Sequence, residues 1–371
     1  MKTLLSDMAR ADTLRVAMVA PSLDILGGQG VQARNLAQGL MDEGVDVAFI
    51  PVNPRFPMGL RWLRRIPVVR TLFNQLLYVC SLWRLRRADV IHVFSAAYWS
   101  FLLAPLPAIL IGRLFGKRVI LNYHSGEADD HLANWGWLVH PWLRLASTIV
   151  VPSVYLQETF ARYGHDAQVV GNFIDLSGFR YRERTTLRPV FFSNRNLEPH
   201  YGVFNTLEAF VRIQERIPEA KLVIAGYGSQ LKRLKQEIAE RNIQGVSVLG
   251  RVEPKDMPRL YDEADVFLNS SLIDNQPISI LEAFASGIPV VTTPTGDIAA
   301  MTQHGRCGVL VPHDEPQAMA DAVIALLESG NQAAAMAGRA RAVAASYCWA
   351  EVYHAWLAVY QGNESETATT P

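Results

Sequence analysis

Apolar and polar positions fall into two successive series of the same kind. Short apolar runs at 15–20 (RVAMVA), 45–52, 89–94 (DVIHVF), 118–122 (RVILN) and 147–152 (STIVVP) read as buried strands. Helical patterns lie between them. One carries Leu36, Leu40 and Met41 and closes at Gly44; another spans 99–114. A polar, arginine-rich linker follows over 169–188. The series then restarts, with strands at 190–193, 221–225, 246–249, 266–269 and 288–291. Helices are expected at 203–216, 231–240 and 257–263, and between Pro277 and Gly287. Single strands alternating with helices predict parallel sheets covered on both faces. The fold class is therefore α/β, two doubly wound Rossmann-like domains facing across a cleft. The domains are 1–170 and 171–346, with a C-terminal segment at 347–371 ending in a disordered polar tail.

The length of 371 residues fits two domains. Lys plus Arg and Asp plus Glu number 35 each, so no net field points to nucleic acid. The three cysteines form no CxxC pair, which speaks for a reducing compartment and against a disulfide framework or zinc ribbon. The first apolar run is too short, and too close to Asp7 and Arg10, for a signal peptide. The segment 99–112 is broken by Pro105 and Pro107, and reads as a buried helix, not a span. Residues 55–88 carry Arg55, Arg61, Arg64, Arg65, Arg70, Arg84, Arg86 and Arg87 without an acid, interleaved with Trp62, Phe73, Leu76 and Trp83. One or two amphipathic helices with a basic face would suit an anionic membrane surface; the plainer reading is an ordinary surface helix. The expected location is cytoplasmic, peripheral on the inner face of the membrane.

Chemistry concentrates in 269–297 (NSSLIDNQPISILEAFASGIPVVTTPTGD). Backbone N–H groups around Gln276, Pro277, Ile278 and Ser279 open a helix and suit a phosphate. Glu282 can accept two hydroxyls of a ribose, and Asp274, eight residues earlier, can reach a sugar beyond the phosphates. The alternative is that Asp274 and Asn275 cap the helix and Glu282 is a solvated charge. Arg195 directly follows a strand and suits a diphosphate. Near the N-terminus Gly28, Gly30 and Ala33 fit a GxGxxA pattern, but Asn53 stands where a ribose-binding acid is required. The run YHSGEADDHL at 123–132 gathers His124, Glu127, Asp129, Asp130 and His131 just past a strand. It is a sugar and acceptor site, a metal site without recognisable ligand spacing, or a polar loop.

These motifs resemble those of family 4 glycosyltransferases, which have the two-Rossmann GT-B fold. The resemblance runs from GGQG through YH, NFID, KLVIAGYG and ADVFLNSS to LEAFASGIPVV and GVLVPHDEPQAMADAV. It implies retaining transfer of a hexosyl group from a nucleoside diphosphate sugar. It also implies that Glu282 holds the donor ribose, Asp274 the transferred sugar, the backbone at 277–279 the phosphates, and His124 the sugar near the acceptor. Gly28, Gly226, Asn275 and Gln276 join the expected donor contacts. The family's usual lysine before a glycine is replaced by His200 and Tyr201 ahead of Gly202, so the second charge on the diphosphate falls to His200 or to Arg251. The chain has no DxD, and the resemblance implies no cofactor and no metal. The acceptor, lipid-linked or a cell-envelope polysaccharide, is expected near Gly27, Gly28, Glu127, Asp129 and Asp130, with Arg61, Arg64, Arg65 and Arg70 on the membrane. The C-terminal helix is expected to return to the first domain. Competing readings are a sugar-nucleotide epimerase, which needs no acceptor, a non-catalytic membrane-surface scaffold, and a dehydrogenase binding NAD at GGQG.

Overall fold

A computed structural model describes residues 14–22, 28–95 and 97–363. They form two compact units, one running to Val170 and including the chain from Tyr353, the other Gly171–Val352. The first unit holds β1 (Arg15–Ala20), β2 (Asp46–Pro51), β3 (Val90–Ser95), β4 (Arg118–Tyr123), β5 (Thr148–Val151) and β6 (Gln168–Val169). The second holds β7 (Val190–Asn194), β8 (Lys221–Ala225), β9 (Val246–Gly250), β10 (Val266–Asn269), β11 (Val290–Thr292) and β12 (Val309–Leu310). Their orders are β2-β1-β3-β4-β5-β6 and β12-β11-β10-β7-β8-β9. All the pairings are parallel, and β3 and β10 are buried along their whole length. The strand order reverses between β1 and β3 in one sheet and between β7 and β10 in the other. Loops leaving the strand ends at such a point diverge and leave a crevice.

The buried imidazole of His92 in β3 finds polar partners. In the first unit His92 meets the Tyr360 hydroxyl at 2.9 Å and Asn122 Nδ2 at 3.0 Å, with the Trp356 ring tilted against it at 4.6 Å. The helix Trp349–Gln361 thus packs, from Tyr353 onward, within the first unit. Burial, then the charge of His124, pushes the His92 imidazole down to about 3.

Two expectations change and a third is made specific. The helix at 99–114 is two helices, Trp99–Leu103 and Pro105–Leu114, because Pro105 has no N–H to continue the first. The stretch 55–88 holds one α-helix, Pro67–Ser81, between 3-10 turns Met58–Arg65 and Leu82–Arg87. Residues 171–188, expected as the linker, are fastened to the second unit. Arg184, with no exposed side-chain surface, donates to the carbonyls of Arg182, Tyr261, Ala264 and Ser286 and pairs with the equally buried Asp265 at 3.3 Å. Arg182 and Arg188 bind the same carboxylate. Burial alone would push Asp265 up, but the bonds from Arg188 and Arg182 prevail and hold it down to about 2. The polar tail beyond Asn363 and the chain before Leu14 lie outside the described residues.

Candidate active site

Arg195 leaves the end of β7 where the second sheet's order reverses, beside the loop from β10 that carries Asp274. Arg195 Nη2 lies 2.6 Å from Asp274 Oδ2, their side chains 16% and 8% exposed. Nη1 donates to Ser279 Oγ at 3.3 Å. The guanidinium lies 4.4 Å from the centroid of the Tyr201 ring. Nε is buried with no hydrogen-bond partner among the described residues. Buried donors are rarely left unpaired, and a guanidinium nitrogen is chemically able to serve an anion.

Glu282 lies on the helix Ile278–Ala285, close enough to Arg195 to feel its charge. The Tyr261 hydroxyl donates to Glu282 Oε2 at 2.7 Å. Burial raises the Glu282 carboxyl to about 7 against the opposing influence of that bond and of Arg195. The helix is not capped by Asp274 or Asn275; the residue before it is Pro277, with no side-chain cap. Instead, Asp274 Oδ1 accepts the N–H of Asn275 at 2.9 Å and Oδ2 faces Arg195. The first-turn N–H groups of Ile278 and Ser279 open toward the same helix end, while Pro277 has none to offer.

The loops around the site are fixed by close backbone packing. A Cβ on Gly226, whose φ is +149°, would overlap the carbonyl oxygen of Arg195. At Gly296, with φ +59°, an added Cβ would come within 2.5 Å of the Asp274 carbonyl oxygen and 3.0 Å of Asn275. Gln276 has a fastening role: Oε1 accepts the Asn172 N–H at 2.7 Å and Nε2 donates to Asp297 at 3.2 Å. The His200 carbonyl accepts from Leu272 and Ile273, and its ring lies 4.3 Å from that of Tyr201. His200 therefore stands beside the Arg195 group. Arg251 leaves the edge strand β9, two strands from β7, and is half exposed, 4.0 Å from Glu253.

In the first unit Gly28 begins the helix Gly28–Asp42; Gly27 lies outside the described residues. Gln29 Nε2 donates to the Ser95 carbonyl at 2.9 Å, which also accepts the His124 N–H at 3.2 Å. The ends of β3 and β4 and the first helix thus converge on His124. Its ring stacks on Phe94, its Nε2 is buried without a partner among the described residues, and burial pushes its imidazole down to about 4. Tyr98, at φ 56°, holds a backbone conformation rare for an aromatic residue and donates to Asp130 at 2.5 Å. Asp129 is taken by Arg162 and Tyr163, and His131 is a core residue bonded to Tyr123. Asp129 and Asp130 therefore brace the loop after β4, and Glu127 is the remaining carboxylate there. Among the described residues no cluster of His, Cys, Asp and Glu could hold a metal ion. Gln29, Tyr98 and Tyr261 carried no sequence signal beyond a polar group beside an apolar run.

The helix Pro67–Ser81 turns Val68, Leu72, Leu76 and Val79 outward, and Met58, Trp62 and Trp83 are exposed nearby, as are Arg65 and Arg70. The side chains of Arg61 and Arg64 lie outside the described residues. No helix among the described residues is long and apolar enough to cross a membrane.

Residues 180–343 match the model of glycosyl transferases group 1, and residues 26–177 that of Glycosyltransferase Family 4. A phosphatidyl-myo-inositol mannosyltransferase of Mycobacterium tuberculosis is 24% identical, over 94% of this chain and 97% of that protein. A D-inositol 3-phosphate glycosyltransferase of Corynebacterium urealyticum is 36% identical, over 38% of this chain and 36% of its own length. Among solved structures, Anabaena Alr3699/HepE with UDP and glucose superposes with a TM-score of 0.74 at 17% identity, over 94% of this chain and all (100%) of that one. Sucrose-phosphate synthase from Thermosynechococcus elongatus has the same TM-score of 0.74 at 17% identity, over 94% and 98%.

Proposed function

The chain belongs to glycosyltransferase family 4, transferases of sugars from nucleoside diphosphate donors, and from that premise we propose that its donor binds on the Arg195, Asp274 and Glu282 group. The observation that carries this reading is the buried, unpartnered Nε of Arg195, whose Nη1 meets Ser279 one helix turn before Glu282, a carboxylate suited to a ribose. In this reading Glu282 accepts the ribose hydroxyls. Arg195 and the N–H groups of Ile278 and Ser279 take the diphosphate, and Asp274 takes the transferred hexose. The protein positions the donor and stabilises the departing diphosphate, with charge-assisted hydrogen bonds of about 1.5–3 kcal/mol each. Retention follows from departure and attack on one face of the sugar. His200 is the local group that stands in for the family's lysine. Fixed cationic and N–H groups make a metal ion unnecessary, so a chelator leaves the rate unchanged.

The first unit takes the acceptor. The neutral imidazole of His124 and the carboxylate of Glu127 face its reacting end, and Gln29 and Tyr98 shape the crevice. The mannosyltransferase relative is named for a phosphatidylinositol, which favours a lipid-linked acceptor here. The exposed apolar stripe of Pro67–Ser81, flanked by Arg65 and Arg70, would then rest on an anionic membrane. The Anabaena structure holds UDP and glucose, which makes a uridine diphosphate hexose the first donor to test. Proton NMR of a reaction with donor and a lipid-linked glycan tests the reading. An α-linked product from an α-linked donor supports it; a new sugar nucleotide formed without acceptor would favour an epimerase.

A further inference from the structure

Tyr261, on the helix Met257–Glu263, is fully buried among Phe179, Phe192 and Phe267. Such an apolar setting has no use for a hydroxyl unless the hydroxyl has a partner. Here it lies 2.7 Å from Glu282 Oε2 and 3.1 Å from the Ser279 carbonyl oxygen, and accepts a long bond from Asn194 Nδ2 at 3.4 Å. A phenol has one proton to give. It goes to Glu282 when that group is charged and is released toward Ser279 when Glu282 is protonated. Ser279 also holds Arg195 through its hydroxyl, so the phenol couples the carboxylate to the arginine of the same site.

We propose that Tyr261 is a positioning residue for the donor: its hydroxyl holds the Glu282 side chain in one orientation, as the carboxylate, with its remaining lone pairs left for the ribose. The inference rests on the donor reading above. The titratable and charged groups facing Glu282 are Tyr261 and Arg195, the latter already paired with Asp274. The helix Gly330–Ala345, packed in the same core cluster, contributes only Ala340, Val343 and Ala344. Burial opposes the charged form of Glu282, and the phenol and the arginine oppose burial. Removing the phenol therefore moves the ionisation upward.

The test is calorimetric donor affinity, with a UDP-hexose, from pH 5.5 to 8.5 for wild type, Tyr261→Phe and Glu282→Gln, with steady-state kinetics beside it. Tyr261→Phe should weaken donor binding about tenfold at neutral pH and move its acid limb up by about one pH unit. At saturating donor, kcat should stay within about threefold. A merely structural role would lower the melting temperature without moving the acid limb. If Glu282→Gln loses binding but Tyr261→Phe overlays wild type, the positioning inference fails and the donor reading stands. If Glu282→Gln binds as wild type, the donor reading fails and takes this inference with it. Should Tyr261→Phe not fold, Asn194→Ala leaves the phenol in place without its donor and should move the limb the same way by about half as much; an unmoved limb overturns the inference.

Discussion

Glu282 is costly to the unliganded protein. Its carboxyl is raised to about 7 in the fold, mainly by burial, against roughly 4.3 in an unfolded chain. Between these values the folded state binds the proton and the unfolded state does not, so this group lowers stability as pH rises from about 4.3 to 7. We expect Glu282→Gln, free of donor, to melt above wild type at pH 8, with the difference closing toward pH 5; scanning calorimetry reads it directly. Donor binding should follow the opposite course, strong above pH 7 and weakening below it as the carboxylate is lost. The acid pair itself was legible in the sequence, because Asp274 and Glu282 sit eight residues apart on one loop and helix. Tyr261 was not, since its hydroxyl reaches Glu282 from a different helix. The partners of Asp129 and Asp130 were not legible for the same reason: the sequence shows two carboxylates past a strand, and only the fold shows Arg162, Tyr163 and Tyr98 bonded to them.

Helices and loops set where these side chains meet. Removing the buried carboxylate in Asp265→Ala leaves Arg184 charged with no exposed surface, which should cost about 3–5 kcal/mol by denaturant melts. The Asp265 contribution is present above its unfolded value near 3.9 and is lost as pH falls toward the folded value of about 2. The Gly226 turn acts on the site more than on the fold. A methyl there displaces the backbone of Arg195, so Gly226→Ala should weaken donor affinity about tenfold or more while the melting temperature shifts by a few degrees. Ten of the twelve strands among the described residues were legible to within about two residues, because apolar runs in parallel sheets are buried on both faces; the two-residue edge strands β6 and β12 were not. The break at Pro105 and the fastening of 171–188 were not. The first depends on backbone geometry at Ala104, and the second on Arg184 finding carbonyls about 80 to 100 residues away in sequence.

At the scale of the whole molecule there are two six-stranded parallel units, and each sheet reverses its order where polar groups gather. The alternating series along the chain made both units legible, since each strand–helix repeat is local. The outward stripe of Pro67–Ser81 showed in the sequence only as arginines among apolar residues; the fold decides which of those residues face outward. Leu72→Glu should reduce co-sedimentation with vesicles containing anionic lipid, leaving hydrolysis of a water-soluble donor unchanged, and no dependence on anionic lipid in wild type would contradict membrane contact. The most direct test of the donor site is calorimetric titration of wild type and Arg195→Met with UDP-, GDP-, ADP- and dTDP-sugars. We expect one donor to bind wild type and to lose about tenfold or more in affinity on removal of the guanidinium. Equal binding by the two proteins would contradict a donor site built on Arg195.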